Sequence, residues 1–161
     1  MASIRNAAIL AFLLPTALLG GALIGQYGFG LYPCEMCMWQ RWPHLAAIIL
    51  AFLALMLRSK SGSMLMVAAA AMAILISGLI GGFHAGVEYD WWEGITSCAT
   101  NLAAGGNMLD SIMNAPLVRC DVAPWSLFGI SLAGYNFFLS VSGAILILMM
   151  LAKQRKGANY V

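Results

Sequence analysis

Four long runs of this chain carry no acid or base in their interiors: about Ala7 to Gly25, Trp42 to Leu57, Met64 to Phe83 and Trp125 to Ala152. A hydrocarbon core about 30 Å thick takes roughly 20 apolar residues per helix, and its backbone polar groups must be satisfied internally. Four such runs therefore predict an all-α membrane protein, a bundle of four transmembrane helices forming one domain over residues 1–161. Only 9% of the residues are charged, against about 25% in a soluble domain, which removes the soluble alternatives. The first run is longer than the roughly 7–15 residues of a signal-peptide core, so it is expected to stay as a helix.

The charges then orient the bundle. Arg5, Arg58, Lys60, Lys153, Arg155 and Lys156 fall on one side of a four-span chain. Arg41, Arg119 and all six acids fall on the other. Lys and Arg mark the cytoplasmic side, so both termini are expected in the cytoplasm. A net charge of +2 says little about partners, and no nucleic acid is expected among them.

Two outward loops follow, about 26–41 and 84–124, and one short basic inward loop, Arg58–Ser63. The second outward loop is long enough to carry structure of its own. Within it, Leu102, Leu109, Ile112 and Met113 share a face of a short helix, Leu102–Met113, expected to lie flat at the lipid surface. Trp91, Trp92 and Trp125 are expected at the outer interface. Gly20-Gly21 and Gly81-Gly82 are expected to let helices approach closely.

All four cysteines, Cys34, Cys37, Cys98 and Cys120, lie in the outward loops on this reading. An even number confined to an oxidising compartment reads as two disulfides, and no metal is expected. Cys34-Glu35-Met36-Cys37 is a C-x-x-C. A bridge over two intervening residues removes little chain entropy, so it is a poor staple, but such bridges exchange readily. Cys98 and Cys120 have 21 residues between them and suit either a staple or an exchangeable bridge; three pairings of the four thiols stay open.

Arg41 lies four residues beyond Cys37, and His44 three further on. Pro43 suits the first turn of a helix, so helix 2 is expected to begin near Trp42, leaving Cys37 and Arg41 just ahead of it. A guanidinium beside a helix N-terminus would favour the Cys37 thiolate and would steady negative charge on a quinone oxygen. His44 and His84 lie near the outer ends of helices 2 and 3, where a shared pocket and a proton step by His84 are open to them. Competing uses of these residues are a four-thiolate zinc site and a haem held by the two histidines. Structural zinc usually uses two close pairs, whereas Cys98 and Cys120 are 22 positions apart and the oxidising side favours disulfides; a haem would leave the cysteines incidental.

Taken together, Pro33-Cys34-x-x-Cys37 followed by Gln40-Arg41, then Cys98 and Cys120, then Trp125-Ser126-Leu127-Phe128-Gly129-Ile130-Ser131 and Asn136, resemble the disulfide-bond formation protein B (DsbB) family of bacterial inner membranes. Vitamin K epoxide reductase-like proteins use similar parts in another chain order, with the C-x-x-C after the loop pair. The DsbB resemblance implies redox disulfides Cys34–Cys37 and Cys98–Cys120. It implies that Cys37 faces a membrane quinone assisted by Arg41, with ubiquinone the expected acceptor and menaquinone the alternative. It also implies that Cys98 and Cys120 oxidise a periplasmic thioredoxin-like dithiol protein (DsbA-like), with Cys98 forming the mixed disulfide. A partner near about −120 mV needs a still stronger acceptor, which a quinone pool supplies. Pro43-His44 and Asp90-Trp91-Trp92-Glu93 are local features outside that pattern.

Overall fold

The computed structural model describes residues 2–57, 59–95, 99–100 and 117–158. They form four helices, α1 (Ala2–Phe29), α2 (Glu35–Met56), α3 (Lys60–Glu88) and α4 (Leu132–Ala158). Three of these contain spans long and apolar enough to cross a membrane, Ile4–Phe29, Lys60–Glu88 and Leu132–Arg155. The first ten residues of α2 carry Glu35, Gln40, Arg41 and His44, which sets it apart from the other three. The short helix expected over Leu102–Met113 lies outside the described residues, as does Cys98.

Helix α3 packs against both α2 and α4, and α1 closes the other side against α2 and α4. The contact faces are built from small residues at helical spacing. Ala7 and Ala11, Ala47, Ala51 and Ala54, and Ala70, Ala71 and Ile74 are buried, with Ala144 and Ile147 from α4. Small side chains let helix backbones approach, which is how helices associate where lipid tails are as apolar as leucine. Large apolar residues such as Leu13, Ile49, Leu79 and Leu146 point outward instead, exposed on the surface of the bundle.

The glycine pairs divide. A Cβ at Gly82 would stand 2.7 Å from the Phe137 ring, and one at Gly81 would stand 2.9 Å from the Ala133 carbonyl oxygen, so this pair does bring α3 and α4 together. Gly20 and Gly21 meet nothing within 4 Å, so close packing is not their role among the described residues.

Helices α1 and α3 run past both ends of their apolar runs, α3 as far as Glu88 into the expected second loop, and the starts of α4 and α2 differ most from the sequence expectation. Helix α4 begins at Leu132 and not at Trp125, because the intervening residues form a hairpin. Strand β3 (Ser126–Leu127) pairs antiparallel with β4 (Ile130–Ser131). Phe128 (φ 51°) and Gly129 (φ 77°) supply the two positive φ angles of a type I′ turn. Ser131 then caps α4, its Oγ accepting from the Gly134 N–H at 3.1 Å. The Tyr89 hydroxyl ties the hairpin to the end of α3, donating to the Gly129 carbonyl at 3.0 Å and accepting from the Ser131 N–H at 2.9 Å.

Helix α2 begins at Glu35 and not near Trp42, and runs through Pro43. Cys34 is its N-cap, with the Sγ accepting from the Cys37 N–H at 3.3 Å. That cap and the burial of Met36, Gln40 and His44 along one face hold the first turns in place, although Pro43 cannot donate to the Trp39 carbonyl. The first outward connection shrinks accordingly to the few residues between Phe29 and Glu35. A second small ladder, β1 (Ala99–Thr100) with β2 (Leu117–Val118), pairs Ala99 with Val118.

Candidate functional site

The N-terminal turn of α2 meets the C-terminal end of α3 in a second, smaller core of Cys34, Met36, Val87 and Cys120, flanked by Cys37, Phe83 and Val118. Cys37 belongs to α2 and not to the loop before it, so the positive end of the helix dipole lies at Cys34 and Cys37 themselves. The Cys34 and Cys37 sulfurs are 3.0 Å apart, and Cys34 is only 2% exposed. Donating its S–H to Cys37, together with burial, pushes the Cys34 thiol up to about 12; its contact with His84 works in the opposite direction.

His84, buried near the end of α3, places Nε2 3.5 Å from the Cys34 sulfur and 3.7 Å from the Glu88 carboxylate. The donor atoms of Cys34, His84 and Cys120 all lie within 4.8 Å of one another. Cys34 therefore stands between two other sulfurs, Cys37 on its own helix and Cys120 from the segment after β2. By donor chemistry the same three residues could meet one soft metal ion, provided that Nε2 of His84 carried no proton.

Arg41 turns away from this cluster, toward α1. Its guanidinium donates to Gln26 Oε1 at 2.5 Å and to the Ala22 carbonyl at 3.4 Å. On α2 it follows Cys37 by one turn, and His44 follows by two, so the three share a helix face. Both histidines are buried and do not touch. A chain of amides joins them instead. His84 Nδ1 lies 2.9 Å from Gln40 Nε2; Gln40 Oε1 accepts from Asn136 Nδ2 at 2.8 Å; and Asn136 Oδ1 lies 2.9 Å from His44 Nε2. Ser77 and Ser140 complete the network, with Ser77 Oγ donating to the Gln40 carbonyl at 2.8 Å and Ser140 Oγ to Asn136 Oδ1 at 2.8 Å. His44 Nδ1 is buried with no hydrogen-bond partner among the described residues.

The sequence reading gave Gln40 and Asn136 no task beyond membership of a motif, and passed over Ser77 and Glu88. The signal was present. Hydrogen-bonding side chains inside otherwise apolar helices are costly unless they pair with one another, so their recurrence on α2, α3 and α4 implied a common meeting point.

The family model described as disulfide bond formation protein DsbB matches residues 4–150. A protein of Verminephrobacter eiseniae named disulfide bond formation protein B is 28% identical, covering 96% of this chain and 90% of its own. One of the same name from Aromatoleum aromaticum is 29% identical over 91% of each chain. An uncharacterized protein of Rickettsia prowazekii is 24% identical over 76% of this chain and 73% of its own. No solved structure matches.

Proposed function

Because the chain belongs to the DsbB family of disulfide bond formation proteins, we propose that this disulfide-forming oxidoreductase oxidises a periplasmic DsbA-like dithiol protein and passes the electrons to a membrane quinone. The family and the membrane-crossing helices make it a multi-pass inner-membrane protein. On our reading α2 crosses as well, giving four crossings with both termini in the cytoplasm, in keeping with the six basic residues on that side.

The observation that carries the proposal is the position of Cys34, with one sulfur 3.0 Å away and a second within 4.8 Å. In the reaction we infer, the partner's dithiol reduces a Cys98–Cys120 bridge. A Cys120 thiolate then attacks the Cys34 sulfur of the Cys34–Cys37 disulfide. A Cys34–Cys120 bond forms, the Cys34–Cys37 bond breaks, and Cys37 leaves as a thiolate at the positive end of α2. Attack by Cys98 on Cys120 re-forms the loop bridge and releases Cys34, so two electrons have moved from one pair to the other. Pairing of Ala99 with Val118 supports the loop bridge, since these residues follow Cys98 by one and precede Cys120 by two.

The residues along α2 suit a quinone and its reduced form by their chemistry: a thiol at Cys37, a cation at Arg41, and at His44, whose Nε2–H goes to Asn136 Oδ1, a buried Nδ1 without a partner among the described residues that can accept a hydroxyl of the reduced ring. When bound, a quinone takes up the two electrons and two protons that the Cys34–Cys37 dithiol gives up. Arg41, held from α1, would keep a positive charge one turn from Cys37. Ubiquinone is the expected acceptor. The test mixes oxidised full-length protein in lipid nanodiscs with ubiquinone and an excess of reduced DsbA-like protein, and follows quinone absorbance. Quinone loss that vanishes in Cys37→Ser is the expected result. No quinone loss with the unaltered protein would overturn the proposal.

A further inference from the structure

The amide chain between the two histidines has a definite direction. Gln40 Nε2 lies 3.2 Å from the Met36 carbonyl oxygen, and Asn136 Nδ2 lies 3.2 Å from the Ser77 carbonyl oxygen. A backbone carbonyl only accepts, so each amide must present its nitrogen there. Turning either one over would set oxygen against oxygen, and would also break the Asn136-to-Gln40 bond. With Gln40 so fixed, its N–H₂ donates into His84 Nδ1, which must offer its lone pair. The proton of the neutral ring is then on Nε2.

The surroundings of Nε2 agree. It faces the Cys34 sulfur at 3.5 Å and Glu88 Oε1 at 3.7 Å. The ionisable groups around the Cys34 sulfur are Cys37 from α2, His84 and Glu88 from α3, and Cys120 from the segment after β2. Of their side chains only that of His84 brings a nitrogen donor to it, beside the backbone N–H of Cys37 at 3.3 Å.

We propose that His84 is a fixed hydrogen-bond donor to the Cys34 sulfur and not a base, with Gln40 and Asn136 as positioning residues that hold the ring in the Nε2-protonated tautomer. The inference rests on the reading that Cys34 exchanges disulfides. When Cys98 attacks Cys120 of a Cys34–Cys120 bridge, the Cys98–Cys120 bond forms, the Cys34–Cys120 bond breaks, and Cys34 leaves with the electron pair. No proton moves in that step. The Nε2–H steadies the departing thiolate, as a charge-assisted bond does. The same proton occupies the position a metal ion would need on this ring, so the Cys34–His84–Cys120 cluster is arranged for sulfur exchange.

Two measurements test this, neither of which needs quinone. Nitrogen NMR of reduced, full-length protein labelled at histidine in micelles reads the tautomer directly. His84 is expected to carry its proton on Nε2 in the unaltered chain and to lose that preference in Gln40→Leu; a proton on Nδ1 in the unaltered chain overturns the proposal. The second measurement is the pH profile of alkylation with Cys34 as the only thiol. His84→Leu is expected to move its midpoint up by about one unit, a tenfold loss of thiolate at fixed pH. His84→Gln, whose amide N–H₂ reaches the same place, is expected to keep the unaltered profile. If His84→Gln falls as far as His84→Leu, the ring acts as a base and the proposal is lost. Quinone reduction with the wrong tautomer defeats this inference alone. The right tautomer without quinone reduction defeats the redox reading and leaves the ring's orientation standing.

Discussion

A single methyl group added at Gly81 strikes the polar network at its centre. A Cβ there would stand 2.9 Å from the Ala133 carbonyl oxygen, 3.0 Å from Asn136 Nδ2 and 3.2 Å from Gln40 Oε1. Backbone oxygen cannot give way as a flexible side chain can, so α3 and α4 must move apart and the amide pair, struck by the same methyl, must part as well. Overpacking of this kind costs about 1–3 kcal/mol. Parting the 2.8 Å Gln40–Asn136 bond in a buried site adds about 1–3 kcal/mol. Replacing a mid-helix glycine returns about 1 kcal/mol. The net loss for Gly81→Ala is then about 3 kcal/mol at mid-range. Gly20→Ala is the matched control, because nothing lies within 4 Å of its Cβ, and it should be neutral or stabilising by up to about 1 kcal/mol. Reversible unfolding in mixed micelles, followed by helicity, measures both. Equal stability of the two variants would refute the packing argument and, with it, the placement of the network between α3 and α4.

Three further outcomes follow from particular contacts. Tyr89→Phe should cost about 1–2 kcal/mol in the same assay, since it removes both hydrogen bonds tying the hairpin to α3; no loss would mean the hairpin holds without them. Phe128 is 91% exposed at φ 51°, so Phe128→Asn should stabilise by about 1 kcal/mol through relief of the left-handed backbone, and a loss of stability would show that the ring is bound by something outside the chain. The reduced Cys34 thiol holds its proton more tightly in the folded state, about 12 against 9.0 for an ordinary thiol. Its contribution is therefore full below pH 9 and is lost as pH rises toward 12, so the stability of the reduced protein should fall over that range more in the unaltered chain than in Cys34→Ser; parallel curves would contradict it.

The apolar runs made the helices legible, because a chain so poor in charge has few ways to satisfy its backbone. The cysteine spacing and the motifs around it carried the family. Helix ends were less legible. Pro43 was read as a first-turn residue, but capping by Cys34 and burial of the Met36–Gln40–His44 face start α2 at Glu35. The Trp125–Ser131 run looked like helix by hydropathy, yet Phe128 and Gly129 at positive φ make it a hairpin. Arg41 was expected beside Cys37, and its hydrogen bonds run to α1, a partner that no spacing within α2 reveals. The Gln40–Asn136 link joins residues 96 positions apart, so it emerges only when α2, α3 and α4 are packed.

The sharpest single measurement maps the bridges formed by Cys37→Ser after exposure to a reduced DsbA-like protein and a mild oxidant. With Cys37 gone, Cys34 retains one sulfur within 4.8 Å among the described residues, that of Cys120, so peptide mapping should recover Cys34 joined to Cys120. Recovery of Cys34 as an unbridged thiol, with Cys120 joined only elsewhere, would contradict a transfer route through Cys34.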